Sequence, residues 1–244
     1  ERYFDVGIAE EHAALFACGM ATSGVKPFLT IYSTFMQRAF DMIVHDMALQ
    51  NLPVRLCMDR GGLSGDDGPT HHGLFDIAYL RGVPGIVHMQ PRHEDEFVDM
   101  LWTMANYDKG PIAIRYPRGN GPGVTPKDKP MLLEIGKAEV VADGSDVALI
   151  ALGDMFPVAE EAKKQLEAKG LSVALINPRW IKPLDGACIE SYAKKVKVIC
   201  TLEDHVLRNG FGCGVIEHLS DAAIRTPVVR IGWPDEFVEH GTIP

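Results

Sequence analysis

Two adjacent acids near the start of the chain are the first residues whose type and spacing suggest chemistry. Glu10 and Glu11 precede His12, where an apolar, strand-like segment gives way to a helix. Neighbouring side chains at such a junction point in different directions, so one acid could face a pocket while the other faces solvent. The alternative is that both acids are there because the positive end of the helix dipole favours them.

A glycine-rich loop carries the second candidate group. Between Gly65 and Gly73 the sequence concentrates acids and histidines, and long loops often hold binding and catalytic residues. Asp67 could orient His71 for proton transfer. There are two competing interpretations: the same side chains could form a metal site, or the segment could be an ordinary polar turn.

Three arginines form the third group. Arg38 lies within a predicted helix, and Arg60 and Arg118 follow predicted strands. Loops that leave the carboxyl ends of parallel strands gather at one rim of a sheet, so Arg60 and Arg118 could converge on an anion there. A planar guanidinium suits phosphate or carboxylate, which it can bind through two parallel hydrogen bonds. The alternative is three unrelated surface arginines.

The elements that must position these residues alternate between strand and helix, which predicts an α/β fold with mainly parallel sheets flanked by helices. Ser33 or Thr34 is expected to cap a helix whose apolar residues, beginning with Phe35, recur at helical spacing. The predicted strands cover residues 27–32, 53–58, 86–89, 112–116, 147–152, 172–176, 196–202 and 228–231.

The pattern divides the chain into two domains. A stretch rich in glycine, proline, lysine and aspartate interrupts the apolar pattern and predicts a linker over residues 120–136. It separates a domain over residues 1–119 from one over residues 137–244. Glycines near residue 210 lack the spacing of a dinucleotide-binding motif, so tight helix packing is the preferred explanation for them.

Composition excludes several classes of function. Of the 244 residues 46% are hydrophobic and 23% are charged, and the net charge of −9 offers no basic face for nucleic acid. No apolar run is long enough for a membrane span, so we expect a cytoplasmic protein with no membrane partner. The five cysteines are widely spaced among apolar neighbours, which predicts reduced core thiols.

Five runs of sequence together resemble one family over essentially the whole chain, the 1-deoxy-D-xylulose-5-phosphate synthases. These runs are VGIAEEH from Val6, IYSTFMQR from Ile31, DGPTH from Asp67, GLFDIAYLR from Gly73 and RYPRG from Arg115. The first and third runs are shared more widely among transketolase-like enzymes. The resemblance implies a pyrimidine-binding domain followed by a transketolase C-terminal domain.

The resemblance also implies roles for individual residues. Glu10 is expected to hydrogen-bond the aminopyrimidine ring of thiamine diphosphate, with Tyr32 and Phe35 beside that ring. Asp67 and His71 are expected to line the reaction centre, where His71 would donate or accept a proton. The residues expected to bind the substrates, pyruvate and D-glyceraldehyde 3-phosphate, are Arg38, Arg60, Arg118 and Tyr32.

The implied activity is a transferase reaction that condenses pyruvate with D-glyceraldehyde 3-phosphate to 1-deoxy-D-xylulose 5-phosphate and CO2. It would supply isoprenoid and thiamine biosynthesis. Family members bind the diphosphate and Mg²⁺ through a Gly-Asp-Gly segment in a preceding domain, and this chain has no such segment. We therefore expect metal ligands outside this chain, an inactive chain on its own, and a homodimer in the complete enzyme.

Two departures from the family pattern concern titratable residues. His72 stands where the family more often has glutamine, and Glu11 replaces the glutamine that commonly follows the catalytic glutamate. The competing functions are a transketolase, the β subunit of a 2-oxo acid dehydrogenase, and a non-catalytic module that keeps the fold. Of these, the β subunit explains the missing metal motif but gives the arginines no phosphate to bind.

Overall fold

A computed structural model describes residues 2–242, and within that range two five-stranded sheets are flanked by helices. The strands in chain order are β1 (Phe28–Tyr32), β2 (Arg55–Asp59), β3 (Val87–Met89), β4 (Ile112–Arg115), β5 (Glu139–Ala142), β6 (Val147–Ala151), β7 (Val173–Asn177), β8 (Trp180–Lys182), β9 (Val198–Val206) and β10 (Val228–Trp233). The expected α/β class with mainly parallel sheets is confirmed.

Helices cover both sheets. Those with eight residues or more are α1 (Glu10–Thr22), α5 (Glu94–Ala105), α6 (Phe156–Glu167), α7 (Gly186–Lys195) and α8 (Phe211–Asp221), and the shorter ones are α2 (Ser33–Met36), α3 (Phe40–Met42) and α4 (Asp76–Arg81). A 3-10 turn separates α2 from α3, and a π-helical turn follows α3. None of the helices in residues 2–242 has both the length and the apolar character to cross a membrane.

The first sheet has the strand order β1-β2-β4-β3-β8. Strands β1 to β4 are parallel, and β2 and β4 are buried almost throughout because helices cover both of their faces. Helix α1 packs a face of small residues against this sheet, including Ala14 and Ala17. The carboxyl ends of β1, β2 and β4 therefore share one rim, where the loops with candidate residues begin.

The second sheet has the order β10-β9-β6-β7-β5, and only β5 runs antiparallel to its neighbour. Its apolar strands β6 and β7 lie between α6 on one side and α7 with α8 on the other. The start of α7 is fixed by Asp185, whose side chain accepts a hydrogen bond of 3.0 Å from the backbone N–H of Cys188.

Strand β8 ties the two halves together. It follows β7 in the chain but pairs antiparallel with β3 of the first sheet. Trp180 of β8 is fully buried in the first core and donates an indole hydrogen bond of 3.1 Å to the carbonyl oxygen of Lys137. The last strand of the first sheet, β8, therefore comes from the part of the chain that follows the expected linker.

Several local expectations need correction. No strand precedes α1 in the described residues, where the segment before Ala9 is irregular. Neither Ser33 nor Thr34 caps a helix through its side chain, because α2 begins at Ser33 itself and Tyr32 occupies the capping position. Strands β5 and β8 were not predicted at all.

The cysteines are unpaired, as expected. The five thiols are free, and Cys18 and Cys57 are buried while the others are partly buried. Burial raises the pKa of Cys57 to about 12 and that of Cys18 to about 11. Between β4 and β5 the structure has no helix or strand, and the exact domain limits stay a prediction.

Candidate active site

Helix α1 presents its two first-turn acids to different environments. Glu10 is 9% exposed and points inward, whereas Glu11 is exposed to solvent. Both carboxylate oxygens of Glu10 lie 3.3 Å from Nη1 of Arg38. The site thus receives one carboxylate from α1, held by a guanidinium from the helical segment that follows β1.

Phe35 is the centre of an aromatic group beside this ion pair. Its ring lies 5.8 Å from that of Tyr32 at 19°, and 5.3 Å from that of His71 at 77°. The Arg38 guanidinium carbon is 5.2 Å from the same Phe35 ring. Offset stacking and edge contacts of this kind favour a fixed arrangement of rings.

Arg60 and Arg118 converge, as expected, but the anion between them belongs to the chain itself. Oδ2 of Asp67 lies 3.4 Å from Nε of Arg60 and 3.1 Å from Nε of Arg118. The Arg60 guanidinium also stacks 3.8 Å above the Tyr32 ring and contacts Asp59 at 2.8 Å. Arg60 joins β2 to the loop with φ of 58°, which places its side chain over the sheet rim.

His71 does not pair with Asp67, so that expectation is wrong. Within the described residues, the ion pairs of Asp67 run to the two arginines, and Nδ1 of His71 lies 2.9 Å from Oγ1 of Thr70. Two guanidiniums, which stay charged at any ordinary pH, already occupy this carboxylate. His71 instead faces Phe35.

The eight predicted site residues nevertheless form one connected group. Contacts link Glu10 to Arg38, then Arg38 to Phe35, and from Phe35 to His71 on one side and Tyr32 on the other. The remaining contacts continue from Tyr32 through Arg60 and Asp67 to Arg118. The residues come from α1, the rim of the first sheet and the loop of residues 61–73. Arg38 lies with Glu10, apart from the two arginines that hold Asp67.

The loop that carries Asp67 is closed at its neck by backbone pairing. Gly62 and Gly73 exchange two N–H to carbonyl hydrogen bonds of 2.8 Å. Gly62 has φ of 99°, and a Cβ there would overlap Oδ2 of Asp204, so glycine is required on both grounds. The same Asp204 oxygen accepts a hydrogen bond of 2.9 Å from the N–H of Leu63. The second sheet therefore contributes directly to the position of this loop.

A buried ion pair that was not predicted from the sequence lies beneath the loop. Arg115 and Asp76 are both fully buried, and Nε of Arg115 lies 2.8 Å from Oδ2 of Asp76. Arg115 also donates to Gln90 at 2.6 Å, and at 3.1 Å to the carbonyl oxygens of Gly73 and Asp204. The available signal was an arginine that ends an otherwise apolar strand.

The groups around this ion pair are held neutral by burial. Burial lowers the pKa of His88 to about 3 and that of His205 to about 4. Burial, followed by the charge of Asp204, raises the pKa of Asp154 to about 8. Near pH 7 Asp76 is accordingly the carboxylate that directly contacts the buried guanidinium.

The site has features that fit an aminopyrimidine and an anionic substrate. A largely buried carboxylate at Glu10 can accept hydrogen bonds from a ring amine, and Tyr32 and Phe35 offer aromatic surface beside it. Within residues 2–242 no three acidic, histidine or cysteine side chains are grouped so as to hold a metal ion.

Two family models match the chain. The transketolase pyrimidine-binding domain matches residues 1–123, and the transketolase C-terminal domain matches residues 136–244. A 1-deoxy-D-xylulose-5-phosphate synthase of Acidobacterium capsulatum is 61% identical over 242 residues, and one of Methylacidiphilum infernorum is 59% identical over 243. These alignments cover 99% and 100% of this chain but only 38% of each relative. The chain therefore spans about two fifths of their length.

Solved structures agree with the architecture. A split-gene transketolase, an inactive β4 tetramer, superposes with a TM-score of 0.88 at 31% identity and covers 97% of this chain and 76% of its own. A Pichia stipitis transketolase superposes with a TM-score of 0.76 at 18% identity over 96% of this chain and 33% of its own. The second likeness concerns the fold alone.

Proposed function

Because the chain belongs to the transketolase family, we propose that it is the cofactor-activating part of a thiamine diphosphate enzyme that makes 1-deoxy-D-xylulose 5-phosphate. The substrates are pyruvate and D-glyceraldehyde 3-phosphate, and CO2 is released. The single observation that carries the proposal is the connected group from Glu10 to Arg118, which joins a buried carboxylate to an arginine pair suited to phosphate. The names of the two relatives support the choice of reaction.

Glu10, Tyr32 and Phe35 are assigned to the aminopyrimidine end of thiamine diphosphate. When bound, this cofactor supplies the carbon nucleophile that attacks the pyruvate carbonyl. The chain's own contribution is a hydrogen bond between Glu10 and the aminopyrimidine ring, and the inward position of Glu10 gives such a charge-assisted bond more weight than it has in water. Glu11 is exposed, which supports Glu10 as the acid in this role.

Arg60 and Arg118 are assigned to the phosphate of the acceptor. The two guanidiniums already converge on the Asp67 carboxylate, so an incoming phosphate finds their donors directed at one point. The phosphate would take over these donors and free Asp67 to contact the polar groups of the substrate. Because Thr70 engages Nδ1 of His71, we assign proton transfer to Nε2 of that histidine.

Mg²⁺ and the diphosphate are assigned to protein outside this chain. The sequence lacks the Gly-Asp-Gly segment, and a cation bridging a diphosphate needs several oxygen ligands. The chain covers 38% of the curated relatives, and the similar split-gene transketolase is an inactive β4 tetramer. Both facts support a chain that is inactive alone. We also propose a homodimer for the complete enzyme, to be checked by analytical ultracentrifugation.

The decisive experiment measures product formation from pyruvate and D-glyceraldehyde 3-phosphate with thiamine diphosphate and Mg²⁺. This chain alone is compared with the chain extended by the amino-terminal region that its relatives carry. We expect the phosphosugar only from the extended protein. Pyruvate decarboxylation without the phosphosugar would favour a 2-oxo acid dehydrogenase subunit, and full activity of the chain alone would refute the assigned division of the site.

A further inference from the structure

His72 points away from the catalytic group and into the protein. It is 4% exposed, although it directly follows His71, which is partly exposed. Its Nδ1 accepts a hydrogen bond of 3.0 Å from the backbone N–H of Ser64, and its Nε2 lies 3.4 Å from the carbonyl oxygen of Glu239. Because Nδ1 accepts and Nε2 faces a carbonyl oxygen, we assign the tautomer of His72 that carries its proton on Nε2.

The two partners of His72 belong to distant parts of the chain. Ser64 lies within the loop of residues 61–73, at the base of the segment that carries Asp67 and His71. Its hydroxyl group donates a second hydrogen bond of 2.8 Å to the carbonyl oxygen of His71. Glu239 belongs to the carboxyl-terminal segment of residues 237–241, which follows the last strand. One imidazole thus connects the catalytic loop to the end of the second domain.

Other contacts join the same two segments. The N–H of Gly241 donates to the carbonyl oxygen of Gly65 at 3.3 Å, and the rings of Phe75 and Phe237 meet edge to face at 6.4 Å. A Cβ on Gly68 would lie 3.2 Å from Cβ of His240, so the segment lies closely against the loop. The carboxyl-terminal segment therefore runs along the loop rather than away from it.

External contacts fix where the loop lies, because the hydrogen bonds within it set only its own shape. Glycine at Gly65 and Gly68 gives the chain more conformational freedom than other residues do, and both have positive φ. The paired neck at Gly62 and Gly73 joins the ends of the loop, and backbone hydrogen bonds within residues 64–71 shape its tip. Without a partner at His72, the buried N–H of Ser64 would also lose its acceptor.

We propose that His72 is a positioning residue that fastens the loop carrying Asp67 and His71 to the segment of residues 237–241. The proposal rests on the proposed function for its effect on turnover, but not for its effect on structure. An apolar residue of similar size could fill the space but could neither accept from Ser64 nor donate to Glu239. Glutamine offers one acceptor and one donor on a side chain of comparable reach and can replace both bonds.

The test compares His72→Leu with His72→Gln in the extended protein, with His45→Ala as a control. His45 is an exposed histidine, with 63% of its side chain accessible, and it pairs with Asp41 away from the loop. Hydrogen exchange is measured by mass spectrometry, and turnover is measured with both substrates. Thiamine diphosphate affinity is measured separately by calorimetry.

We expect the leucine variant to exchange amides about tenfold faster, both in the loop and in residues 237–241, because a buried hydrogen bond is lost. Its kcat should fall by about tenfold while cofactor affinity stays unchanged, since Glu10, Tyr32 and Phe35 lie outside the loop. The glutamine variant should recover both exchange protection and turnover. The control should match the wild type.

The results separate the two proposals. Faster exchange confined to the loop, equal behaviour of the leucine and glutamine variants, or full turnover in the leucine variant would each overturn the role of His72. If the wild-type extended protein makes no phosphosugar, the proposed function fails. The exchange comparison would then still decide whether His72 joins the two segments.

Discussion

Replacing Asp76 by asparagine removes the negative charge that directly contacts the buried guanidinium of Arg115. The substitution preserves side-chain volume and leaves one oxygen to accept the Nε–H bond. Both partners are fully buried, and the remaining Arg115 donors are directed at Gln90 and two carbonyl oxygens. The variant therefore removes the charge of a single carboxylate, together with the bond of 2.8 Å that its second oxygen accepts from the N–H of Ile77, in a site that water does not reach.

The structure sets the size of the effect. Breaking a buried ion pair by removal of one partner lowers the free energy of unfolding by about 3 to 5 kcal/mol. Because asparagine retains one oxygen, we expect a loss at the lower end of this range, about 3 kcal/mol. A urea m value of about 2 to 3 kcal/mol/M converts this loss to a fall of about 1 to 1.5 M in the unfolding midpoint.

The effect should depend on pH in a defined direction. Burial alone would raise the pKa of Asp76, but Arg115 and the two nearby histidines hold it below its usual value of 3.8. A depressed pKa gives stability that is present above the unfolded-state value and is lost as pH falls through the folded-state value. The wild type should therefore approach the variant in stability only as pH falls through the depressed folded-state pKa of Asp76, which lies below 3.8.

Urea unfolding followed by circular dichroism, over a pH series that runs from 7 to well below the ordinary aspartate pKa of 3.8, measures both effects. Asp108→Asn is the matched control, since Asp108 pairs with the buried Arg55 but is itself 53% exposed. The backbone carbonyl oxygens of Met104 and Tyr107 still accept from the Arg55 guanidinium, so this change should cost less than about 1 kcal/mol. Equal destabilisation by the two substitutions would refute the reasoning.

Three further predictions concern the site, the thiols and the interface between the sheets. In the extended protein, Glu10→Gln should lower turnover by about a hundredfold or more with unchanged circular dichroism, whereas Glu11→Gln should have little effect; the reverse order would reassign the acid. A thiol reagent at pH 8 should spare Cys18 and Cys57 until the chain is unfolded, because burial keeps both protonated; immediate labelling would contradict their burial. A raised folded-state pKa gives stability that is lost as pH rises. As pH rises from 5 to 9, the melting temperature of the wild type should therefore fall relative to that of Asp154→Asn. If the difference between the two melting temperatures does not change with pH, Asp154 is not protonated in the folded protein.

Local pattern was sufficient for the strands that form the centres of the sheets. Strands such as β2 and β6 are apolar runs flanked by polar turns, and burial on both faces leaves that signature in sequence. Strand β8 has only three residues, and its pairing with β3 depends on a partner about ninety positions away. Nothing in its local sequence encodes that contact.

The same distinction applies to the site. Sequence placed Arg60 and Arg118 at the rim because each follows a strand, and the two guanidiniums do meet there. Sequence could not show that Asp67 would occupy the space between them, because that depends on the path of a loop rather than on spacing. The pairing of Asp67 with His71 was wrong for this reason.

Arg115 shows why the second domain matters to a site whose chemical groups lie in the first. Its guanidinium donates both to the carbonyl oxygen of Gly73, in the neck of the loop of residues 61–73, and to the carbonyl oxygen of Asp204, at the end of β9. Asp204 in turn accepts from Leu63 on the other side of that neck. The loop is thus held between a buried charge of the first sheet and a strand end of the second. Because the two Arg115 bonds are buried, any shift between the sheets leaves a buried donor without its acceptor, and that cost keeps the loop in its position against the first sheet.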